Sequence, residues 1–565
     1  MDFFWCFNET LSQKEVNELK HSLNVPEVIA RILVTRGIKN FDEARKFFKP
    51  KFSDLYDPFL MKDLEKAVDR IIDAIKKGEK ILVYGDYDVD GITSISILYL
   101  FLKKLNGNVL YYIPERLKEG YGYSYSCIRN RIKENISLII TVDCGITAVE
   151  EVKLTKKNNI DVIICDHHEP GRELPDAYAI LDPKREDCNY PFKELAGVGV
   201  TFKLIQGLAK KLGLISHVVE RYTDYVAIGS AADIVPLVDE NRILVKLGLE
   251  RLNKREKIGI NALLKASGIF EKPVGTGQIV FILAPRLNAV GRLGSAERAV
   301  RLLTTNNRTQ ALNIATILEE ENRNRKNIDE ETFAQALEMI EADYDPEKDR
   351  AIVLSRENWH TGVIGIVASR IVERYYRPTI LISVEDGVGK GSARSIPGFD
   401  LYLALRECEE LLETYGGHKY AAGLTLKEEN IDKFNERFKS VAFNRISEDI
   451  LKPKIWIDGK INFREINERL INIINRFAPF GPQNMRPVFL TRNLEVVGTP
   501  EIVGSNHLKF KVKQNGIVID AIGFNMGDLI YRIDPVAKNL DIVYCIEENT
   551  WEGQTTVQLR IKDLK

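Results

Sequence analysis

The stretch KILVYGDYDVDGITSISILYLFLKKLNG, residues 80–107, decides the fold. Its first six residues form an apolar run of strand length. From Ile92 onward the pattern reads as a helix, closed by a glycine. Between the two stand Asp86, Asp88 and Asp90, alternating with Tyr87 and Val89. Three carboxylates thus gather where a buried strand should end.

The same unit recurs downstream. ISLIITVDCG (136–145) is a second strand-length run, followed by the helical ITAVEEVKLTKKNN (146–159). DVIICDHHEP (161–170) is a third such run and AYAILDPK (177–184) a fourth. Strands without polar alternation, separated by helices, indicate a parallel sheet covered on both faces. Asp86 to Asp90, Asp143 and Asp166-His167-His168 each sit just past the C-terminal end of such a strand. That edge is where open α/β sheets bind ligands. Asp233 lies in YVAIGSAADIVPL (225–237), an otherwise apolar segment where a lone carboxylate is costly to bury unless paired or bound to a cation.

Each piece alone has an ordinary reading. DYDVD could be a solvated turn or a helix cap, and DHH a capping aspartate beside two common histidines. The chain has only 7 histidines, however, and two of them are adjacent beside an aspartate at a strand end. With Asp143 and Asp233 in matching contexts, the set predicts a divalent-cation site. Hard oxygen ligands suit Mg²⁺ and Mn²⁺, and a histidine favours Mn²⁺ somewhat. More than four carboxylates imply more than one ion. Two ions about 3.5–4 Å apart suit the attack of water on phosphorus.

Composition sets wider limits. A chain of 565 residues is long enough for about three or four domains. It is 44% hydrophobic and 28% charged, as an ordinary soluble protein is. A formal net charge of −1 gives nucleic acid no overall attraction, so a binder would need local basic patches. The 7 cysteines show no CxxC pairing and are odd in number, against a disulfide framework. The first 30 residues lack a signal-peptide pattern, and no apolar run is long enough to span a membrane. A reduced, cytoplasmic protein is expected.

Residues 1–60 read as a helical segment, with NVPEVIARILVTRGI (24–38) carrying a helical apolar period. Residues 306–346 read as long helix with a charged outer face, and residues 347–447 as a second α/β unit. GVGKGSARS (387–395) lacks the frame of a nucleotide-binding phosphate loop; its glycines suit close backbone approach to a phosphodiester. Residues 448–565 alternate in short runs (LEVVG, HLKFKVKQ, GIVIDAIGF, LDIVYCIE, TTVQLRIKD), which predict an antiparallel barrel or sandwich. Residues 451–513 hold 11 Lys and Arg against 5 Asp and Glu. That surplus, with the aromatics of HLKFKVK, suits a single-strand binder of the OB type.

The chain resembles the DHH phosphoesterase superfamily, named for the triplet at 166–168. Within it, the resemblance is to the RecJ family of bacterial 5′ to 3′ single-strand DNA exonucleases. The motifs that carry it are GDYDVDGITS (85–94), IPERLKEGYGYS (113–124), TVDCG, DHH, AGVGVTFKL (196–204) and AIGSAADIVPL (227–237). LAPRLNAVGRLGSAERAV (283–300), WHTGVIGIVASR (359–370), GSARSIPGFDL (391–401) and GGHKYAAG (416–423) follow in order. The fold implied is α/β. A parallel-sheet DHH catalytic domain (61–305) and an α/β DHH-associated domain (347–447) are joined by a long helix. An all-β OB-like barrel follows.

By resemblance, Asp88 and Asp143 hold one metal, and Asp90, Asp143, His167 and Asp233 the other, with Asp143 bridging. Other superfamily members carry a histidine four residues before the Asp-x-Asp pair; Tyr84 stands there, leaving a place open to Asp86. Asp166 would orient the His167 ring, and His168 would face the substrate phosphate. Arg286, Asn288 and Arg292 on one lobe, and Ser392, Arg394 and His418 on the other, would contact phosphates. Two Mn²⁺ or Mg²⁺ ions, single-stranded DNA, a single-strand-binding protein and a helicase are the implied cofactors and partners. A monomer is expected, since lobes and barrel could enclose a strand. Smaller DHH phosphodiesterases of short or cyclic dinucleotides lack the OB-like tail, and scaffold relatives lose metal ligands; none of the candidate ligands is missing here.

Overall fold

The computed structural model describes residues 3–7, 11–114, 119, 122–124, 129, 134–293, 296–346, 348–534, 538–551 and 554–565. Half of the motif at 113–124 lies outside the described residues, as does the side chain of Arg292. The chain forms two compact units. One comprises Phe7–Glu319 and Ile457–Lys565; the other comprises Glu320–Trp456 with the first residues of the chain.

A short strand, Phe4–Phe7 (β1), opens the sequence. The first unit is built on a five-stranded parallel sheet of Lys80–Gly85 (β2), Asn108–Tyr112 (β3), Ile136–Val142 (β4), Asp161–Cys165 (β5) and Ala179–Leu181 (β6). The order across the sheet is β3-β2-β4-β5-β6. The strands are buried on both faces, as their unbroken apolar runs require. Ile81, Val83, Leu138 and Ile140 face one core with the helices Leu64–Lys76, Val89–Lys104 and Gly197–Lys211. Leu82, Tyr84, Ile139 and Ile164 face another with Val152 of the helix Val149–Lys157. Each fully buried aliphatic side chain contributes about 1.5–3 kcal/mol. The edge strand β3 has no counterpart among the sequence-predicted strands. It is five residues long and half exposed.

The strand order reverses between β2 and β4, because β3 lies outside β2. Such a reversal leaves a crevice beyond the carboxyl ends of the two strands. The DYDVD segment and Asp143 follow those two ends.

In the second unit, Ile352–Glu357 (β7), Thr379–Glu385 (β8), Val388–Arg394 (β9), Thr414–Gly417 (β10) and Ala421–Lys427 (β11) form a mixed sheet in the order β10-β11-β9-β8-β7. A 36-residue helix, Arg308–Asp343, runs from the first unit into this one. Lys454–Ile457 (β12) pairs with β1.

The short strand Gly459–Lys460 (β13) leads into the barrel, which consists of Phe489–Val503 (β14), His507–Gln514 (β15), Ile517–Gly523 (β16), Leu540–Trp551 (β17) and Gln554–Leu564 (β18). Pairing runs β14-β15-β16-β18-β17, and β17 returns to β14, so the five strands close. The β16–β18 pair is parallel, unlike the all-antiparallel arrangement expected. The N-terminal helices Gln13–Leu23 and Glu27–Thr35 share the barrel's core: Val16, Leu19, Ile29 and Leu33 cluster with Phe489, Leu508 and Tyr544.

Candidate metal centre

The sheet register aligns the site. Gly85 pairs with Val142, Val142 with Cys165, and Cys165 with Leu181. The next residue on each strand is an aspartate: Asp86, Asp143, Asp166 and Asp182. All four side chains are buried at the carboxyl edge of the sheet. Asp143 N–H still donates to the Cys165 carbonyl (2.8 Å), and Asp166 N–H to that of Leu181 (3.0 Å), which holds the row in line.

The DYDVD loop adds two more carboxylates. Asp88 caps the helix Val89–Lys104 by accepting the Gly91 N–H at 3.0 Å. Only glycine fits at 91, since a Cβ there would lie 2.4 Å from the Asp86 carbonyl oxygen. Asp90 is buried in the first turn and accepts the N–H groups of Gly197 (2.7 Å) and Val198 (2.8 Å), at the start of the helix Gly197–Lys211. Asp143 adopts φ +60, a conformation aspartate tolerates better than most residues.

His167 sits among these carboxylates. Its Nε2 lies 3.2 Å from Asp143 Oδ1, 3.7 Å from Asp233 Oδ2 and 3.9 Å from Asp90 Oδ2. Among the described residues this buried nitrogen has no hydrogen-bond partner. Ligand atoms converge in three groups: Asp86, Asp88 and Asp143; Asp90, His167 and Asp233; and Asp143, His167 and His168. Asp143 belongs to two of them.

Electrostatics show what the cluster lacks. Burial, and then the charge of Asp88, push the Asp90 carboxyl up to about 7. Burial and the charges of Asp90 and Asp88 drive Asp143 and Asp233 well above the usual carboxylate range. Burial and the neighbouring His168 bring His167 down to about 3, so its ring is neutral. A neutral, unpartnered imidazole nitrogen facing carboxylates that repel one another is a donor set that cations would satisfy. The residues therefore fit divalent ions.

Asp166 does not hold His167, contrary to expectation. Its Oδ1 accepts the Nδ1–H of His168 at 2.7 Å, and the two oxygens also accept the N–H groups of His167 and Ile146. The His168 ring folds back onto Asp166, while His167 leans on the backbone of Leu195. Burial opposes charge on His168, but the hydrogen bond and charge of Asp166 outweigh it and raise its pKa to about 9. Tyr84 turns to the opposite sheet face, where its hydroxyl donates to the Gly122 carbonyl (2.8 Å).

Sequence reasoning misses Asp182, although it ends AYAILDPK as the other aspartates end their strands. One oxygen accepts the Lys184 N–H at 2.8 Å; the other has no hydrogen bond among the described residues. Burial pushes this carboxyl up to about 7.

The other sequence candidates fall on both units. Arg286 is buried and donates to Glu319 and to the Ile282 carbonyl, so a phosphate would compete with Glu319 for it. Asn288 is half-buried on the same helix. Ser392 and Arg394 lie two apart on β9, with the guanidinium 3.3 Å from the Ser392 hydroxyl. His418 is exposed at the β10–β11 turn of the same sheet.

Residues 80–230 match the DHH family, N-terminal domain; 348–443 match the DHHA1 domain; and 457–563 match the RecJ OB domain. The chain is 41% identical to the single-stranded-DNA-specific exonuclease RecJ of Bacillus subtilis, over 98% of this chain and 69% of that protein. Its identity to Escherichia coli RecJ is 32%, over 98% of each. A crystal structure of Thermus thermophilus RecJ in complex with Mn²⁺ superposes with a TM-score of 0.84 at 30% identity, covering 99% of this chain and 79% of that one.

Proposed function

The chain belongs to the RecJ family of single-stranded-DNA-specific exonucleases, and on that premise we propose that it is a metal-dependent nuclease that degrades single-stranded DNA from the 5′ end to mononucleotides. The observation that carries this reading is the convergence of Asp86, Asp88 and Asp143 beside Asp90, His167 and Asp233, with His167 Nε2 3.2 Å from Asp143 Oδ1, at the sheet's switch point.

Asp86, Asp88 and Asp143 would hold one ion. Asp90, His167 and Asp233, with Asp143 shared, would hold the second. Bound there, two divalent cations supply the Lewis acidity that activates water and offsets the charge of a scissile phosphate. Asp143 would be the ligand common to both. The N–H groups of Gly197 and Val198 fix the Asp90 carboxylate, so its position does not depend on the ion. Asp166 holds His168 as an imidazolium, and that charged ring would face the substrate phosphate. Ser392, Arg394 and His418 would bind phosphate on the second unit, where Asn288, Arg292 and Arg286 would do so on the first.

The described cysteines Cys6, Cys144, Cys165, Cys188, Cys408 and Cys545 are free thiols, which suits a reducing cytoplasm. No described helix is long and apolar enough to cross a membrane. An enzyme confined to single strands depends on helicases that expose them and on the proteins that coat them; we place it in DNA repair and recombination, acting as a monomer.

The test is digestion of 5′-labelled and 3′-labelled single strands, blunt duplex and dinucleotides, with Mn²⁺ or with EDTA. The expected result is mononucleotide release from the 5′ end of single strands alone, abolished by EDTA. Preference for dinucleotides, or equal attack on blunt duplex, would sink the reading.

A further inference from the structure

We propose that Ile234 is a substrate contact, whose side chain packs on a nucleobase of the DNA strand beside the scissile phosphate. The inference rests on the single-strand exonuclease reading given above.

The helix Thr223–Ala232 ends on Asp233, which is still helical at φ −76 and ψ −6; Ile234 follows at φ +61. Helices commonly leave through a left-handed residue at this position, and glycine, or sometimes asparagine, is the usual occupant. A β-branched side chain suits it worst. Among the described non-glycine residues with positive φ, Ile234 is the β-branched one; the rest are Asn, Asp, Arg, Tyr and Gln.

Strain of this kind persists where something offsets it. Burial does not, because Ile234 is 61% exposed while Val235 and Leu237 beside it are buried. A glycine would turn the same corner unstrained. A lone exposed isoleucine is ordinary on a protein surface. An exposed isoleucine that strains its own backbone has a use outside the fold.

The chain fixes what lies beside it. Asp233 groups with Asp90 and His167, and its Oδ2 lies 3.7 Å from His167 Nε2. The Ile234 side chain can neither accept a hydrogen bond nor hold a charge, so it offers a ligand only apolar surface. On a single strand whose phosphate lies at this cluster, the apolar surface available is the face of a base.

The experiment uses the full-length protein and its Ile234→Gly and Ile234→Asn variants. Melting temperature, Mn²⁺ affinity by calorimetry, and kcat and KM are measured on ordinary single strands. The kinetics are repeated on strands carrying one abasic residue at each of the first few 5′ positions. Both variants should melt within about 2 °C of wild type and bind Mn²⁺ as wild type does. On ordinary DNA they should lose about tenfold in kcat/KM, mostly through KM. At one abasic position that loss should vanish, because the base Ile234 would touch is gone. Undiminished loss at every abasic position would assign Ile234 to holding Asp233 and overturn the proposal, as would variants as fast as wild type. Wild-type protein that binds Mn²⁺ and degrades no single strand would overturn the exonuclease reading as well.

Discussion

Asp143 is the residue on which the two ligand groups meet, and in the metal-free protein it is also an electrostatic burden. Burial and then the charges of Asp90 and Asp88 raise its pKa. A carboxyl raised in this way stabilises the fold below its unfolded pKa, and that stability is lost as pH rises through its folded value. Asp143→Asn should therefore melt higher than wild type in EDTA at pH 8. With Mn²⁺ the order should reverse, because ions that bind the native state stabilise it by mass action and the variant lacks the shared ligand. Calorimetry with and without Mn²⁺ checks this; an unchanged order would mean that Asp143 is not a ligand. Hydrolysis should fall more than about 100-fold in the same variant, beyond the 10–100-fold typical of residues that only support ligands. The convergence of these carboxylates was legible because each ends an apolar strand. The partner of Asp166 was not, since spacing does not say which of two adjacent rings folds back. The φ of Ile234 was equally hidden, because a helix end can fall on any of several residues.

Elements decide how firmly the ligands are held. The first turn of the helix Gly197–Lys211 touches two of them: its N–H groups grip Asp90, and a Cβ at Gly197 would lie 2.5 Å from Asp143 Oδ1. Gly197→Ala should weaken Mn²⁺ binding and activity about 10–100-fold while leaving the helix itself slightly more favourable. Calorimetric Mn²⁺ affinity equal to wild type would contradict this packing. On the neighbouring helix Thr223–Ala232, Asp224 is buried, and burial raises its pKa to about 6 even with Lys257 nearby. Its neutral form is the one the fold prefers. The stability this gives is complete below about pH 4 and is lost as pH climbs through 6. Asp224→Asn should match wild type near pH 4 and exceed it by ~2–3 kcal/mol at pH 8. Denaturant melts of both proteins across that range measure the difference; a constant offset would mean that Asp224 stays ionised. The alternation of strands and helices that places these helices was plain in the sequence, because strands buried on both faces read as unbroken apolar runs.

At the scale of the whole molecule, local periodicity showed the barrel but not what it is fused to. An N-terminal helix and a barrel strand far apart in sequence carry ordinary amphipathic patterns, and neither pattern names its partner. The structure supplies it. Arg242, buried in the sheet-bearing part of the first unit, donates to the carbonyls of Phe47 (3.0 Å), Phe477 (2.8 Å) and Ala478 (3.2 Å), and its guanidinium stacks 3.7 Å over the Phe47 ring. Phe47 and Phe477 are themselves in edge-to-face contact at 5.3 Å. The barrel's positive surplus is also partly neutralised within the fold, as Lys511 lies 3.9 Å from Asp520; Lys509 stands opposite Glu501 in the strand register.

Cutting the barrel away after about residue 445 should therefore not leave the catalytic part intact, on packing grounds. Deletion of 457–565 would expose Val16, Leu19, Ile29 and Leu33, which the barrel now covers, and strip Arg242 of its Phe477 and Ala478 acceptors. The truncated chain should aggregate or melt without a cooperative transition. The segment Glu320–Trp456 has separate cores, one around Phe434 and Phe438 and one around Ile364 and Val367, so expressed alone it should melt cooperatively. Calorimetry of both fragments is the check, and a sharp native-like melt of the truncated chain would refute the shared core. The barrel's part in binding is then measured in the intact protein. Lys509→Glu with Lys511→Glu leaves the core untouched, and each DNA phosphate that the barrel no longer neutralises should lower the salt slope of single-strand affinity by about 0.7. Because both lysines already face carboxylates, the slope should fall by less than the removal of two fully engaged cations would give. A fall as large as that would show both lysines free to meet DNA.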